Sequence, residues 1–515
     1  MLTYAEVHYR PWFVPSLISM RSPEIVCDAP TRVEPGRPIP LFVFVKDADR
    51  YPIELETIVI HTVYESGVEK VARFPYGGIS LNSPIWWDSF NIVPEFNGSV
   101  KLYPHVIYKK GRKRSVVRVD NYRGSTGSPL IVHAASDHFP GGEGWYRGDI
   151  HCHTYYTSDQ VEFGAPIEAL TLAAHCMGLD WIAVTDHSYD LDDLTNDCFK
   201  EDILLTKWRL MKNTVDILNE TFTVIPGEEV TCRTNANRNC HMLALNSERF
   251  IKGSGDGGER GMKNTTELSV GEAAAVCIEW GGIACASHPM EKIPMLERVL
   301  LNRGEWTQTD LETPGVTAMQ IHNGARDRGF TEGMKAWIHM LLKGRRIIAF
   351  GGSDSHGDMN RKRSVGLPFC YLCERKNHTL GYVQTVARAR SNKREDILEA
   401  LRSGHSIVTE GPFINLTVAS GEVVEYPGGS LPCGNLAVRA GFHSSHEFGS
   451  LKSGRIFAGV KGETVERTIG DVTNFHSDYN EVFEGTCALD NMLYIRAECE
   501  THSGKMCFTN PVWIE

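Results

Sequence analysis

The sequence has no long apolar run, few cysteines for its length and no excess of positive charge. Charged residues and prolines interrupt the first twenty residues, and no segment elsewhere reaches the ~20 apolar residues that a membrane span needs. Fourteen cysteines among 515 residues are too few for a disulfide scaffold. We therefore expect a soluble, cytoplasmic protein without a membrane partner.

The charge balance disfavours nucleic acid as a partner. Acidic residues number 64 and basic residues 53, so the net charge is -11, which argues against an extended nucleic-acid surface. We expect a small-molecule substrate instead. A chain of 515 residues is too long for one ordinary core, so two or three domains are expected. The oligomeric state cannot be read from the sequence.

Both ends of the chain have the pattern of β-structure. Residues 1–140 contain short β-branched and aromatic runs separated by turn residues, which predicts an N-terminal β-sandwich-like domain. Similar runs return after residue 410, so residues 411–515 are predicted to form a C-terminal β-rich domain. Packing of the two terminal regions against each other is a hypothesis, since chain ends often lie close together.

The middle of the chain, residues 141–410, alternates short strands with helices. A helix is predicted from Pro166 to Met177, closed by Gly178. The predicted strands are Trp145 to His151, Trp181 to Val184, Thr223 to Ile225, His241 to Leu245, Ile283 to Ala286, Ala318 to Ile321 and Arg346 to Phe350. This alternation predicts an α/β fold built on a parallel seven-stranded (β/α) barrel.

Side chains that can bind metals fall near the ends of these strands. His151 and His153 are two residues apart, so in a strand both rings point to one face. Further candidates follow the later strands, namely Asp186 and His187, Glu228 and Glu229, His288, and Asp354 and His356. Such ligands converge at the carboxyl-terminal mouth of a barrel. His241 lies at the start of its predicted strand instead, so it could mark the end of a short strand or belong to an antiparallel piece.

From about Arg147 to Gly357 the sequence resembles the polymerase-and-histidinol-phosphatase (PHP) metallohydrolases. The resemblance rests on six ordered motifs, which are Asp149-Ile150-His151-Cys152-His153-Thr154 with Ser158-Asp159, Val184-Thr185-Asp186-His187, Pro226-Gly227-Glu228-Glu229, Cys240-His241-Met242, Ser287-His288-Pro289 and Gly352-Ser353-Asp354-Ser355-His356. The end of the chain resembles the subgroup that includes carbaryl hydrolases, in which a β-domain follows the barrel.

The resemblance implies a trinuclear metal site in a distorted seven-stranded barrel. Its ligands would be His151, His153, Asp159, His187, Glu229, His241, His288, Asp354 and His356. Two alternatives stay open: Glu228 in place of Glu229, and His322 in place of His288. Glu229 is preferred because it falls where the family's proline-glycine-x-glutamate motif requires it.

The mixed imidazole and carboxylate set suits two to three ions of zinc, manganese or iron. A divalent ion lowers the pKa of bound water to about 7 and so supplies hydroxide at neutral pH. We therefore expect a metal-dependent phosphoesterase acting on a small phosphate ester or short nucleotide. The alternatives are a carbamate or carboxylic ester hydrolase and a noncatalytic metal-dependent binding module.

Catalytic or substrate-binding roles are expected for three of the predicted ligands and for several cations outside the ligand set. His187, His288, Asp354 and Arg326 are the predicted catalytic residues. A phosphate also needs cations beside the metals, which makes Arg326, Arg328 and the run Arg361-Lys362-Arg363 candidates. The glycine-rich segment from Gly253 to Gly261 is predicted to be a mobile loop, with a lid as one hypothesis.

Overall fold

The structure is a computed structural model that describes residues 22–122, 127–157, 164–195, 197–257, 260, 264–361, 364–367, 370–373 and 377–515. The chain forms two compact units. The first comprises residues 1–138, 153–178 and 355–380, and the second comprises residues 139–152, 179–354 and 381–515. The predicted three-domain division at 1–140, 141–410 and 411–515 stays a prediction.

The N-terminal part of the first unit is built from strands. They are β1 (Glu24–Asp28), β2 (Arg32–Val33), β3 (Ile39–Lys46), β4 (Ile53–Tyr64), β5 (Glu69–Leu81), β6 (Ile85–Ile92), β7 (Gly98–Lys110), β8 (Lys113–Arg118) and β9 (Leu130–Ala134). One sheet has the order β1-β3-β6, and a second has the order β2-β9-β7-β4-β5 with β8 on β7. Both sheets contribute to one core, through residues such as Val43, Ile60, Leu102 and Val132.

A helix, α1 (Ile167–Met177), also belongs to the first unit. It starts directly after Pro166 and ends at Gly178, as predicted from the sequence. Gly178 has a φ of 94°, a left-handed conformation that favours glycine. A Cβ atom there would also lie 2.6 Å from the side chain of Glu34. The helix end therefore depends on glycine for two separate reasons.

The middle of the chain contributes strands to both units and further helices to the second. The strands are β10 (Trp145–His153), β11 (Trp181–Val184), β12 (Asp193–Leu194), β13 (Asp197–Glu201), β14 (Thr223–Arg233), β15 (Asn239–Leu245), β16 (Ile283–Ala286), β17 (Ala318–Asn323), β18 (Ile348–Gly352), β19 (Ser355–His356), β20 (Ser364–Leu367) and β21 (Cys370–Cys373). The helices are α2 (Ser188–Leu191), α3 (Thr206–Leu218), α4 (Val270–Glu279), α5 (Met295–Leu300), α6 (Gln308–Leu311) and α7 (Arg328–Leu342).

The C-terminal part of the second unit returns to strands after one helix, α8 (Arg394–Ser403). The strands are β22 (Gln384–Arg388), β23 (Ser406–Thr409), β24 (Phe413–Ser420), β25 (Val423–Glu425), β26 (Ser430–Leu431), β27 (Leu436–His443), β28 (Leu451–Val460), β29 (Arg467–Val472), β30 (Asn480–Cys487), β31 (Met492–Thr501), β32 (Met506–Thr509) and β33 (Val512–Ile514). A sheet of order β25-β24-β27-β30 shares a core with β28 and β31 through Leu416, Val438, Ile456 and Ala497.

The prediction of an α/β fold with a parallel, TIM-like (β/α) barrel is wrong. Strands make up 44% of the chain and helices 16%. The seven predicted strands are all present, and in the second unit they lie in the order β18-β17-β16-β15-β14-β11-β10. However, β15 is antiparallel to both β14 and β16, and the sheet continues from β10 through β22 and β23 into the C-terminal strands.

The short connection between β14 and β15 explains why β15 is antiparallel to β14. Residues 234–238 separate the two strands, whereas a crossover between parallel strands needs a dozen or more residues. Apolar runs mark where strands lie but carry no information on their direction. The error therefore concerns strand direction and closure, not strand position. Among the described residues, no helix is both long enough and apolar enough to cross a membrane.

Candidate metal centre

Glu229 lies among four histidines in the second unit. Its Oε2 atom is 3.1 Å from His187 Nδ1 and 3.4 Å from His151 Nε2. Its Oε1 atom is 3.1 Å from His241 Nδ1 and 3.2 Å from His288 Nε2. Each oxygen of one buried carboxylate thus faces two imidazole nitrogens. We call these five residues together with Asp354 the Glu229 cluster.

Strand direction explains how His241 joins the cluster. Strands β11 and β14 are parallel, and His187, just beyond the end of β11, forms a bridge with Glu229 on β14. Strand β15 runs the opposite way, and His241 near its start is paired with Thr231 near the end of β14. The start of an antiparallel strand therefore reaches the edge that the parallel strands reach at their ends. His288 follows β16, which is antiparallel to β15 and so ends at this same edge.

Asp354 joins the cluster from the turn after β18. Its Oδ1 atom lies 3.2 Å from His151 Nε2, and its Oδ2 atom accepts a hydrogen bond from Asn323 Nδ2 at 3.1 Å. Both Asp354 and His288 have left-handed backbone conformations, with φ values of 54° and 27°. Such conformations cost on the order of 1 kcal/mol or more in a residue other than glycine, and they concentrate at functional sites.

Gln320 determines how the His151 ring is held. His151 Nδ1 lies 2.9 Å from Gln320 Oε1, which can only accept, so this nitrogen carries the hydrogen. The other ring nitrogen, Nε2, is then left with its lone pair facing Glu229 and Asp354. Gln320 is itself completely buried and donates to Asn323 Oδ1 at 3.1 Å. A residue of β17 therefore selects which nitrogen of His151 faces Glu229 and Asp354.

His241 is held by charged residues on its outer side. Its Nε2 atom lies 2.6 Å from Asp256 Oδ2, and the same oxygen accepts from Arg303 Nε at 2.8 Å. Burial opposes the charged form of the imidazole, but the charges of Glu229 and Asp256 outweigh it and raise the pKa of His241. Burial likewise opposes the charge on Asp256, and Arg303 and His241 outweigh it to lower the pKa of that carboxyl.

The Glu229 cluster has the donors that a transition-metal ion requires. One ligand atom each from His187, Glu229 and His241 lie within 4.8 Å of one another, and all three side chains are buried. Buried imidazole and carboxylate groups suit zinc, manganese or iron. Without a cation, so many polar groups would be costly to bury together. The residues present therefore fit a divalent ion.

The trinuclear arrangement of nine ligands is not supported in its predicted form. Six of the predicted ligands lie together in the second unit, and these form the Glu229 cluster. His153 and His356 belong to the first unit, where their rings stack with centroids 4.0 Å apart. Asp159 lies outside the described residues.

The two alternative ligands lie elsewhere. Glu228 points to the opposite face of β14 from Glu229, where its Oε1 atom accepts from the backbone N–H of Ile251 at 2.9 Å. His322 Nε2 lies 3.4 Å from Glu410 Oε1. The geometry thus places Glu229 and His288 in the cluster.

Two of the predicted substrate-binding arginines, Arg326 and Arg361, form ion pairs. Arg326 lies 3.5 Å from Glu410 and 3.4 Å from Glu500, so its guanidinium contacts the C-terminal strands. Its catalytic role stays a prediction. Arg361 is buried in the first unit, 2.8 Å from Asp358. Lys362 and Arg363 lie outside the described residues, and no role for Arg328 is tested.

A cleft in the second unit opens beside the cluster. Its lining includes His241, Ser287, His288, Glu291, Arg303 and Trp306. The side chain of His288 is 17% exposed, against 5% or less for the other three histidines. His288 is therefore the most exposed of the four histidines in the cluster.

Sequence reasoning missed the residues that hold the ligands. Gln320 lies in the apolar strand Ala318-Met319-Gln320-Ile321, and a polar residue inside a buried strand is itself a signal of a buried hydrogen bond. Asp256 lies in the glycine-rich segment that was predicted to be mobile. Residues 253–257 are buried, whereas residues 258, 259 and 261 lie outside the described residues, and the lid stays a hypothesis.

No protein-family model and no curated protein matches the chain. Among solved structures, a calcium-binding mutant of Bacteroides uniformis β-glucuronidase 2 matches at 10% identity over 97% of this chain and 61% of that one, with a TM-score of 0.18. A β-glucuronidase from Parabacteroides merdae matches at 8% identity over 96% of this chain and 66% of that one, with a TM-score of 0.21. The chain spans about three fifths of the length of the first. Likenesses this weak support no argument about fold or function.

Proposed function

We propose that this chain is a metal-dependent hydrolase whose divalent ions bind at the Glu229 cluster. The observation that carries the proposal is the carboxylate of Glu229, each oxygen of which faces two buried imidazole nitrogens. Glu229 and the four histidines would hold the ions, and we expect two to three ions per chain. The resemblance of the motifs to PHP metallohydrolases supports the same reading.

A bound divalent ion would act as a Lewis acid and would lower the pKa of water at the site, which supplies a nucleophile at neutral pH. The chain's own residues would orient the ions and admit the substrate. Gln320 and Asn323 hold His151 and Asp354, and the cleft beside His288 provides access. Burial of the cluster excludes bulk water and so strengthens each electrostatic interaction within it.

The substrate we propose first is a small phosphate ester or short nucleotide, on the strength of the sequence resemblance. The lining of the cleft favours a second candidate, a carbamate or carboxylic ester. A phosphate would need a cation in the cleft, but the cation that lines it, Arg303, is already paired with Asp256 and Glu297. Glu291 adds a further acidic side chain to the lining. Pro289, Ile293 and Trp306 provide apolar surface for a neutral substrate.

Metal analysis and a hydrolysis screen test the proposal together. The purified protein is analysed for its metals, and turnover of a phosphomonoester, a phosphodiester and a naphthyl carbamate is measured with added manganese or zinc. We expect two to three ions per chain and turnover of a phosphate ester. The same metal content with turnover of the carbamate alone would favour the second candidate. Protein that binds no metal after reconstitution would refute the proposed site.

A further inference from the structure

Asp256 is buried and does not belong to the predicted ligand set, yet it touches one of the ligands. Its side chain is completely buried, and its Oδ2 atom lies 2.6 Å from His241 Nε2. Asp256 comes from the segment after β15, and this segment is fixed at a neighbouring position by Ser254, which donates to Glu267 Oε1 at 2.7 Å. The hydrogen bond between Ser254 and Glu267 thus anchors the segment that holds the Asp256 carboxylate against His241.

The contact determines which nitrogen of His241 can bind a cation. A neutral imidazole carries one hydrogen, and a carboxylate can only accept, so Nε2 is the nitrogen that donates to Asp256. Nδ1 then keeps its lone pair, and it lies 3.1 Å from Glu229 Oε1 on the inner side of the ring. Carboxylates that bind the outer nitrogen of a ligand histidine fix its orientation in this way.

Arg303 holds the carboxylate in place. Its Nε atom donates to Asp256 Oδ2 at 2.8 Å, and its Nη1 atom lies 3.3 Å from Glu297 Oε2. The backbone carbonyl of His241 is held as well, since Trp306 Nε1 donates to it at 3.1 Å. Both the ring and the backbone of His241 are therefore constrained from outside the cluster.

We propose that Asp256, supported by Arg303, is a positioning residue that orients His241 so that Nδ1 faces Glu229. The inference rests on the proposed metal site and adds that Asp256 selects Nδ1 as the ligand atom of His241. It also gives the glycine-rich segment a role other than that of a lid. Gly253 has no room for a Cβ atom, which would lie 2.6 Å from the carbonyl oxygen of Thr231.

The test compares Asp256→Ala with Glu297→Gln, a control that alters the other partner of Arg303 and leaves the contact to His241. The first readout is the affinity of the metal-free protein for Zn²⁺ or Mn²⁺, measured by calorimetric titration. We expect Asp256→Ala to weaken binding roughly 10–100-fold and Glu297→Gln to leave it within about twofold. Should Asp256→Ala fail to fold, Asp256→Asn keeps the volume of the side chain and is expected to weaken binding in the same direction.

The second readout does not require a metal. In metal-free protein with ¹⁵N-labelled histidine, the His241 ring signals are identified by their loss in His241→Gln. Because the pKa of His241 is raised, the spectra are recorded at a pH high enough for its ring to be neutral. We expect the hydrogen to be on Nε2 in the unaltered protein and this preference to be lost in Asp256→Ala. Unchanged affinity and unchanged ring signals in the variant would overturn the proposal. If the unaltered protein binds no metal, the proposed function fails, and the ring signals alone decide whether Asp256 orients His241.

Discussion

Replacing Glu229 with glutamine should remove the centre of the cluster while preserving its shape. Glu229 Oε2 lies 3.1 Å from His187 Nδ1. At an effective dielectric constant of about 20, a unit positive charge at that distance from the carboxylate would interact with it by about 5 kcal/mol. Glutamine keeps one oxygen as an acceptor and so retains part of this interaction. We expect the affinity for Zn²⁺ or Mn²⁺ to fall at least 100-fold, equivalent to about 2.8 kcal/mol.

The neighbouring residue provides a matched control. Glu228 is on the same strand and equally buried, but it lies on the opposite face, where it accepts from the N–H of Ile251. Burial raises the pKa of its carboxyl well above the usual value, and Glu228→Gln keeps the volume of the side chain and an oxygen that can accept from Ile251. We expect its metal affinity to stay within about twofold of the unaltered protein.

The assay is a competition titration of metal-free protein against a chromophoric chelator, with circular dichroism to confirm that both variants are folded. Turnover of the substrate identified by the hydrolysis screen is measured on the same samples and should be lost only in Glu229→Gln. Equal losses of metal affinity in both variants would show that the effect comes from disturbing strand β14 and not from removing a group of the cluster. Normal metal binding by Glu229→Gln would refute the role given to this carboxylate.

Three further outcomes are expected. Gln320→Leu leaves His151 Nδ1 without its acceptor, so it should destabilise the protein by about 1–3 kcal/mol and weaken metal binding roughly 10-fold or more, as measured by urea unfolding and by metal titration. Burial raises the pKa of Glu24 from 4.5 to about 7, so folding should become less favourable by roughly 3 kcal/mol as the pH rises from 4.5 to above 7. Glu24→Gln should abolish this loss of stability, as measured by urea unfolding at pH 5 and pH 8. An unchanged pH dependence of the unfolding free energy in the variant would refute the prediction. Arg326→Met should lower the melting temperature but leave KM unchanged, because the guanidinium is held by Glu410; a tenfold rise in KM would instead show a substrate contact.

The sequence alone was sufficient to locate the seven predicted strands of the middle region and the side chains of the Glu229 cluster. Short apolar runs mark buried strands, and histidines or carboxylates just after them are conspicuous because cores otherwise avoid charge. His187, His288 and Asp354 were found in this way, and all three lie in the Glu229 cluster. The same reasoning could not establish strand direction, and so it led to a parallel barrel in place of the mixed sheet.

His241 shows most clearly where the sequence was insufficient. At the start of its strand it lies at the wrong end for a parallel sheet, and only the antiparallel pairing of β14 with β15 brings it to Glu229. The short link between these strands was a usable signal, since it leaves no room for a crossover.

The residues that support the histidines could be identified only from the tertiary structure. Asp256 and Gln320 are separated from the histidines they orient by 15 and 169 residues, and nothing in a single sequence joins such positions. The residue types that bind metals follow from local chemistry, which a sequence displays directly. Which nitrogen of each ring faces the site follows from hydrogen bonds between distant segments, and these exist only once the chain has folded.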